Sequence, residues 1–341
     1  MKERINQGVS IIVCCFNSVK RLPETIKHIA KQIVPEEIKW EVIIINNAST
    51  DNTKEVAQSE WEKYNLTVDF TIIEQPVPGL KAAREKGIEI SKYEYLLFCD
   101  DDNWLMNNYT HTAYEIMSSY PEIGILGGYS EAVFEEEPPK WFHEHKFGYA
   151  VGKQAEISGE IKGSVYGAGM VLRKSAWIRL LDHGFKFTLS GRKGKKLTAG
   201  EDCEMCYAIR LMKFKIFYDE RLVLKHFMPA SRITWRVFRK MYRGFGIQNA
   251  VLYPYQYVIN GNNEENGFML SWKKRIFDTI IWFLKNPKLV FKTFLIEGEG
   301  DIGILSTERK IGLLIGLLKR KSDYDKSFFD IKTFAESYYK K

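Results

Sequence analysis

Two hydrophobic periods alternate along the first hundred residues. Residues 9–15 and 40–45 are continuous apolar runs of buried-strand length, and residues 68–73 and 95–99 repeat the signal. Between these runs the spacing predicts helices over residues 22–32, 51–64 and 80–91. Pro23 falls in the first turn of the first helix, Ser49 or Asp51 is placed to cap the second, and the third follows a turn at residues 76–79. Apolar strands alternating with helices predict an α/β fold, with a parallel sheet covered on both faces. Farther on, short strands are expected at residues 124–127, 164–172 and 214–218. A helix opens at Gly200 with Met205, Ala208, Ile209 and Met212 on its apolar side, and from about Trp235 the chain reads as mostly helical. Residues 191–196 are too basic and glycine-rich to pack and read as a loop.

Polar residues punctuate the carboxyl ends of the predicted strands: Phe16-Asn17, Asn46-Asn47 with Ser49, Glu74-Gln75 before Gly79, and Asp100-Asp101-Asp102. Open parallel sheets bind ligands at that edge, so four motifs converge on one crevice. Three adjacent carboxylates repel one another and call for a cation. A hard divalent ion held by one or two of them, with its other positions left to phosphate oxygens and water, meets that need. The pattern points to phosphate chemistry through a metal.

Composition narrows the setting. The 341 residues, 45% hydrophobic and 27% charged, suit one large domain and a smaller one. No apolar run reaches the roughly 20 residues that span a bilayer, and the polar residues 1–8 lead straight into a strand without a secretory pattern. Five cysteines fit a reducing compartment, and a cytoplasmic location is expected. Cys203-x-x-Cys206 lies in a predicted helix without a second pair, so it reads as packing and not as a zinc or redox site. The net charge is +7, and residues 268–341 hold 15 Lys+Arg against 9 Asp+Glu, which places nearly all the excess in the tail.

With these residues in place, the chain resembles the family 2 glycosyltransferases of GT-A fold from about Val9 to His226. Cys14-Cys15-Phe16-Asn17 resembles the family's Pro-Thr-Tyr-Asn strand end, and Asn46-Asn47-Ala48-Ser49-Thr50-Asp51 its Asp-Asp-Gly-Ser-Thr-Asp. Gly79 to Arg84 is similar to its Gly-x-x-x-Ala-Arg segment, Asp100-Asp101-Asp102 stands at the DxD position, and Glu201-Asp202 at the ED pair. The family's uracil-holding aspartates are asparagines here. Their carbonyls can still accept a base N–H, with less strength and with more room for a non-uridine donor.

The resemblance implies a catalytic, nucleotide-sugar-binding domain over residues 1–230, and the residues that follow read as a helical region over 231–341. It also implies inverting transfer of a sugar from a nucleotide diphosphate, first a UDP-sugar, to a saccharide or lipid-linked saccharide hydroxyl in cell-surface glycan synthesis. The expected cofactor is Mn2+ or Mg2+, held by Asp102 and, as a second ligand, His226; a packed histidine is the other reading of His226. Asp100 and Asp101 are assigned to the ribose and the surroundings of the metal, and Cys15, Phe16, Asn17 and Asn47 to the nucleotide. Asp202, beside Glu201, is the general base by position, against the reading of a helix cap. Arg84 either reaches the diphosphate or base, or lies on a solvated helix face. Gly167-Ala168-Gly169 suits close approach of the donor sugar or ordinary packing. The basic loop at residues 192–196 reads as a lid or as solvated chain, and Trp141 and Phe142 as an acceptor platform or core.

In the tail, Trp272, Ile276, Ile280 and Phe283 beside Lys273-Lys274-Arg275, and the apolar residues 311–318 flanked by bases, read as helices lying on the inner face of an anionic membrane. Docking on the rest of the chain or on a second copy is the alternative. No nucleic-acid partner is expected. A nucleotidyltransferase is a competing reading, but residues 14–17 lack the glycine-rich phosphate loop it would need. An inactive assembly module is another, and the intact acidic motifs argue against it.

Overall fold

The four apolar runs form strands β1 (Asn6–Cys15), β2 (Trp40–Asn47), β3 (Asp69–Gln75) and β4 (Tyr93–Asp100). The structure is a computed structural model that describes residues 5–189, 200–261, 270–295 and 298–339. The four strands lie parallel in the order β3-β2-β1-β4. Helices α1 (Leu22–Ala30), α2 (Thr53–Glu62) and α3 (Leu80–Ile90) make the crossovers that parallel neighbours require. Successive residues of β1 serve opposite faces. Ile11, Val13 and Cys15 share a cluster with Leu22 and Ile26 of α1 and Trp61 of α2. Ile12 shares another with Ile43, Leu96, Phe98 and Ala83 and Ile88 of α3. Burial on both faces is why the β1, β2 and β4 runs show no polar alternation, whereas β3, at the sheet edge, alternates between exposed and half-buried positions.

The second half extends the sheet with mixed polarity. The elements are β5 (Asn103–Leu105), α4 (Tyr109–Ser119), β6 (Ile123–Phe134), α5 (Phe142–His145), β7 (Gly159–Glu160), β8 (Val171–Arg173), α6 (Lys174–Asp182), α7 (Glu201–Leu211) and β9 (Lys215–Met228). The order continues β4-β8-β6-β9-β5, with β7 also on β9. β8 runs antiparallel to β4 and β6, whereas β6 and β9 are parallel. The result is a mixed α/β sheet, parallel in its first half and flanked by helices.

Two expectations about this half need correction. The strand expected over residues 164–172 contracts to Val171–Arg173, because side chains claim the polar groups of the turn before it. The Gly167 N–H donates to Asp202 and the Gly169 carbonyl accepts from the Tyr109 hydroxyl at 2.7 Å. The strands expected at residues 124–127 and 214–218 grow to 12 and 14 residues, since each pairs with the other along its length. His226 therefore lies within β9, opposite Asn103 of β5.

The tail is helical: α8 (Trp235–Ile259), α9 (Trp272–Lys285), α10 (Pro287–Leu295), α11 (Ile302–Arg320) and α12 (Ser322–Tyr339). Val251, Leu252 and Tyr255 of α8 and Ile331 and Ala335 of α12 join the apolar cluster that also holds Ile12 and Phe98. Helices α8 and α11 cross backbone to backbone. A Cβ at Gly312 would stand 2.0 Å from the Arg243 carbonyl oxygen, and one at Gly246 the same 2.0 Å from that of Arg309. Glu308, buried at the crossing, accepts from Arg239 Nε at 3.0 Å and Arg243 Nε at 2.7 Å. Gly312, Gly316 and Leu317 of the 311–318 run thus dock on α8, as the alternative reading of this run expected. Gly312→Ala is expected to lower stability by about 1–3 kcal/mol, because backbone atoms must shift to admit the methyl; an unchanged urea midpoint would contradict this close crossing.

Trp141 and Phe142 are core. Both are buried with Tyr149, Trp235 and Phe238, and the Trp141 indole donates to Glu299 at 2.6 Å. In contrast, Phe277, Ile280 and Leu284 of α9 and Phe291, Phe294 and Leu295 of α10 are exposed. Among the described residues, no helix is long and apolar enough to cross a membrane. The basic loop at residues 192–196 lies outside the described residues.

Candidate active site

The strand ends and the start of α7 enclose a cavity of about 380 Å³. Of the residues singled out in the sequence, Cys15, Phe16, Asn47, Arg84, Asp100, Asp101, Asp102, Glu201, Asp202 and His226 line it. Asn17 is not among the lining residues. At φ 51° it turns the chain out of β1, and its side-chain oxygen accepts from the Thr50 N–H at 2.8 Å, which ties two strand-end loops together. Asn47 lines the cavity with its amide already engaged. It donates to the carbonyls of Gln75 at 3.0 Å and Val77 at 2.6 Å and accepts from the Gly79 N–H at 2.7 Å, pinning the turn into α3. Asn46 donates to Glu74 at 3.0 Å, and its oxygen is buried without a partner.

Each of the three aspartates faces its own arginine. Asp100 stands 3.9 Å from Arg84, Asp101 2.6 Å from Arg21 and Asp102 3.2 Å from Arg232. The repulsion that suggested a cation in the sequence is therefore met in part by guanidinium groups. Burial, followed by the charge of Asp102, raises the pKa of Asp101, and the bonds from Arg21 and Ser18 pull it back. Neither Arg21 nor Arg232 belongs to a sequence pattern that could have marked it; Arg232 reaches the site from the 3-10 turn Ala230–Arg232 beyond β9.

Arg232 also reports on the cation position. Its Nη1 lies 3.2 Å from Asp102 Oδ2 and 3.3 Å from His226 Nε2, and that His226 nitrogen is 3.5 Å from Asp102 Oδ1. The two side chains proposed as metal ligands thus converge on one cation-sized position, where a guanidinium nitrogen stands in. No group of three or more His, Cys, Asp or Glu residues able to hold a metal occurs among the described residues. Asp102 and His226 by themselves offer two donors at that position.

Arg84, from the first two turns of α3, is buried rather than solvated and sits 5.2 Å from the Phe98 ring centroid. Burial opposes its charge, but Glu201 at 3.3 Å and Asp100 outweigh that and hold its pKa above the usual value. Burial raises the Glu201 pKa, which Arg84 opposes, and Glu201 Oε2 has no hydrogen-bond partner.

Asp202 opens α7. Gly200 before it has φ 94°, a left-handed conformation that glycine enters without strain. Asp202 Oδ1 accepts from the Cys203 N–H at 2.9 Å, and Oδ2 accepts from the Gly167 N–H at 3.0 Å. A Cβ on Gly167 would lie 2.8 Å from the Arg84 guanidinium and 3.3 Å from Asp202, so this glycine lets the two groups approach. Glu204, one turn on, is structural: it accepts from the N–H groups of Thr188 and Leu189 and from the Tyr255 hydroxyl. Asp202 also borders a second cavity, of about 240 Å³, lined by Phe147, Tyr149, Tyr166 and Phe245 among others. It stands where the two cavities meet, together with Gly200, Ala150 and Arg232.

The cysteines are poor nucleophile candidates. Burial pushes Cys206 up to about 12 and raises Cys14, Cys15, Cys99 and Cys203 as well.

A family model described as glycosyl transferase family 2 matches residues 10–180. Poly-beta-1,6-N-acetyl-D-glucosamine synthase of Staphylococcus epidermidis is 24% identical over 240 residues, covering 67% of this chain and 54% of that protein. Cholesterol galactosyltransferase of Borreliella burgdorferi is 34% identical over 95 residues, covering 28% of this chain and 25% of that protein. The chain thus spans about half or less of the length of these relatives. Among solved structures, S. aureus TarS 1-349 in complex with UDP-GlcNAc aligns with a TM-score of 0.48 at 16% identity, over 98% of this chain and 92% of that chain.

Proposed function

The chain belongs to glycosyl transferase family 2, and from that premise we propose that it transfers a sugar, with inversion, from a nucleoside diphosphate donor to an acceptor hydroxyl. The observation that carries this reading is the place of Asp202 between two cavities. One is lined by the aspartates, Arg84 and His226, and the other by aromatic rings. A base that must take a proton from an acceptor while that acceptor attacks a donor has to stand between them.

The donor diphosphate occupies the larger cavity, with Arg84 as a buried cation facing it. Asp102 and His226 would hold Mn2+ or Mg2+, an ion that, when bound, stabilises negative charge on the leaving diphosphate. The Asp202 oxygens each accept one backbone N–H, which fixes the carboxylate and leaves lone pairs for the acceptor proton. Aromatic faces in the second cavity suit a saccharide acceptor. The relative named for N-acetylglucosamine polymer synthesis supports cell-surface glycan assembly as the setting, with UDP-sugars as the first donors to test.

The test incubates the purified protein with a panel of UDP-sugars and candidate saccharide acceptors in Mn2+, Mg2+ or EDTA and follows nucleotide release. Release that needs a divalent ion, and falls about 10²-fold or more in Asp102→Asn, is the expected result. Absence of both turnover and thermal stabilisation with every nucleotide sugar tried would overturn the proposal.

A further inference from the structure

A separate cavity of about 440 Å³ lies in the helical tail, between α8, α9 and α11, and shares no lining residue with the two cavities at Asp202. Arg275, Arg309 and Lys310 line it beside Tyr253 and Trp282, and no carboxylate does. Among the described residues, no ion pair ties these three cations to an acid. The nearby acids are committed elsewhere: Asp278 pairs with Lys274, and Glu308 with Arg239 and Arg243. The Arg275 guanidinium lies 3.9 Å from the Tyr253 ring centroid, and its Nε is buried without a hydrogen-bond partner. With the Asn249 amide turned to satisfy its neighbours, its oxygen, a neutral acceptor, lies 3.0 Å from Arg309 Nε. Lys310 stands 5.8 Å from the Trp282 ring centroid. Burial, with Arg275 and Arg309 adding to it, lowers the Lys310 pKa.

Like charges held together in a partly enclosed space are costly unless an anion joins them. Two guanidinium forks and an ammonium match phosphate oxygens in number and geometry. The volume falls in the range of small-ligand sites, and the two aromatic rings limit access of water. We propose that this cavity is a second anion site, which binds a phosphate or phosphodiester group independently of sugar transfer. The group comes from a soluble phosphate or from the headgroup of a lipid. The exposed apolar residues of α9 and α10, helices that also carry Lys273, Lys285, Lys288 and Lys292, make the lipid a source to test directly.

The experiment uses the full chain in EDTA, so that no divalent ion adds a phosphate site at the aspartates. Calorimetric titration with inorganic pyrophosphate forms one arm. Co-sedimentation with phosphatidylcholine vesicles, with or without phosphatidylglycerol, forms the other. Lys310→Gln and Arg275→Gln/Lys310→Gln are compared with the charge-conserving Arg275→Lys/Lys310→Arg. The expected result is binding in at least one arm, weakened about tenfold or more in the neutral variants and kept in the charge-conserving one. Pyrophosphate binding alone assigns the soluble source, and binding only to phosphatidylglycerol vesicles assigns the lipid. Absence of binding in both arms by the unsubstituted chain, or equal binding by neutral and charge-conserving variants, overturns the proposal. UDP-sugar turnover stays unchanged in all of them, which separates this result from any failure of the proposed transferase reaction.

Discussion

Asp202→Asn is expected to lower the rate of sugar transfer about 10²–10⁴-fold while leaving donor affinity nearly unchanged. The substitution preserves the shape of the side chain and at least the bond from the Gly167 N–H, so α7 keeps its start. What it removes is the lone pair that takes the acceptor proton. Transfer in single turnover, paired with calorimetric titration of the donor, separates the two effects. Equal loss of affinity and rate would show that Asp202 holds the donor instead. An unchanged rate would remove it from the chemistry and leave the helix-cap reading.

Arg84→Met has the other large expected effect, and it acts on stability and activity together. The side chain is buried against Glu201, whose second oxygen already lacks a partner. Removing the cation leaves an uncompensated buried carboxylate, a change that typically costs about 3–5 kcal/mol. Urea unfolding checks it, and adding Glu201→Gln to the variant should restore part of the loss. A double variant no more stable than Arg84→Met would mean that the ion pair is not the cause. The pH dependence has a definite sign. Burial already raises the Glu201 pKa, and Arg84 is the largest opposing influence. Without Arg84 the folded-state pKa moves further above the unfolded value, so the folded state binds the proton more tightly. The deficit of Arg84→Met should therefore shrink as pH falls toward the acid range and be largest above the raised pKa.

Much of this site was legible because backbone topology places it. Once Asp100 to Asp102, Asn47 and Phe16 are read at the ends of parallel strands, the sheet brings them to one edge whatever their side chains do. Arg84 and Asp202 follow from helix starts next to that edge. Less legible were the partners. Arg21 and Arg232 neutralise Asp101 and Asp102 from a loop and a 3-10 turn, elements with no hydrophobic period to announce them. The engagement of Asn47 with the turn at Gly79 was hidden for the same reason, since a hydrogen bond across 32 positions leaves no local trace. Trp141 and Phe142 show the converse: aromatic residues announce burial or a ligand equally well, and only packing against Trp235 and Phe238 decides between them.

The amino-acid order alone determined the alternation of strands and helices, the parallel half of the sheet and the acidic edge, because local period and strand polarity need no distant partner. Tertiary structure decided which cation each aspartate meets, that Asp202 divides two cavities, and that residues 311–318 dock on α8 through Gly246 and Gly312. Those outcomes depend on contacts between segments far apart in the chain, and such contacts have no signature until the backbone brings the segments together.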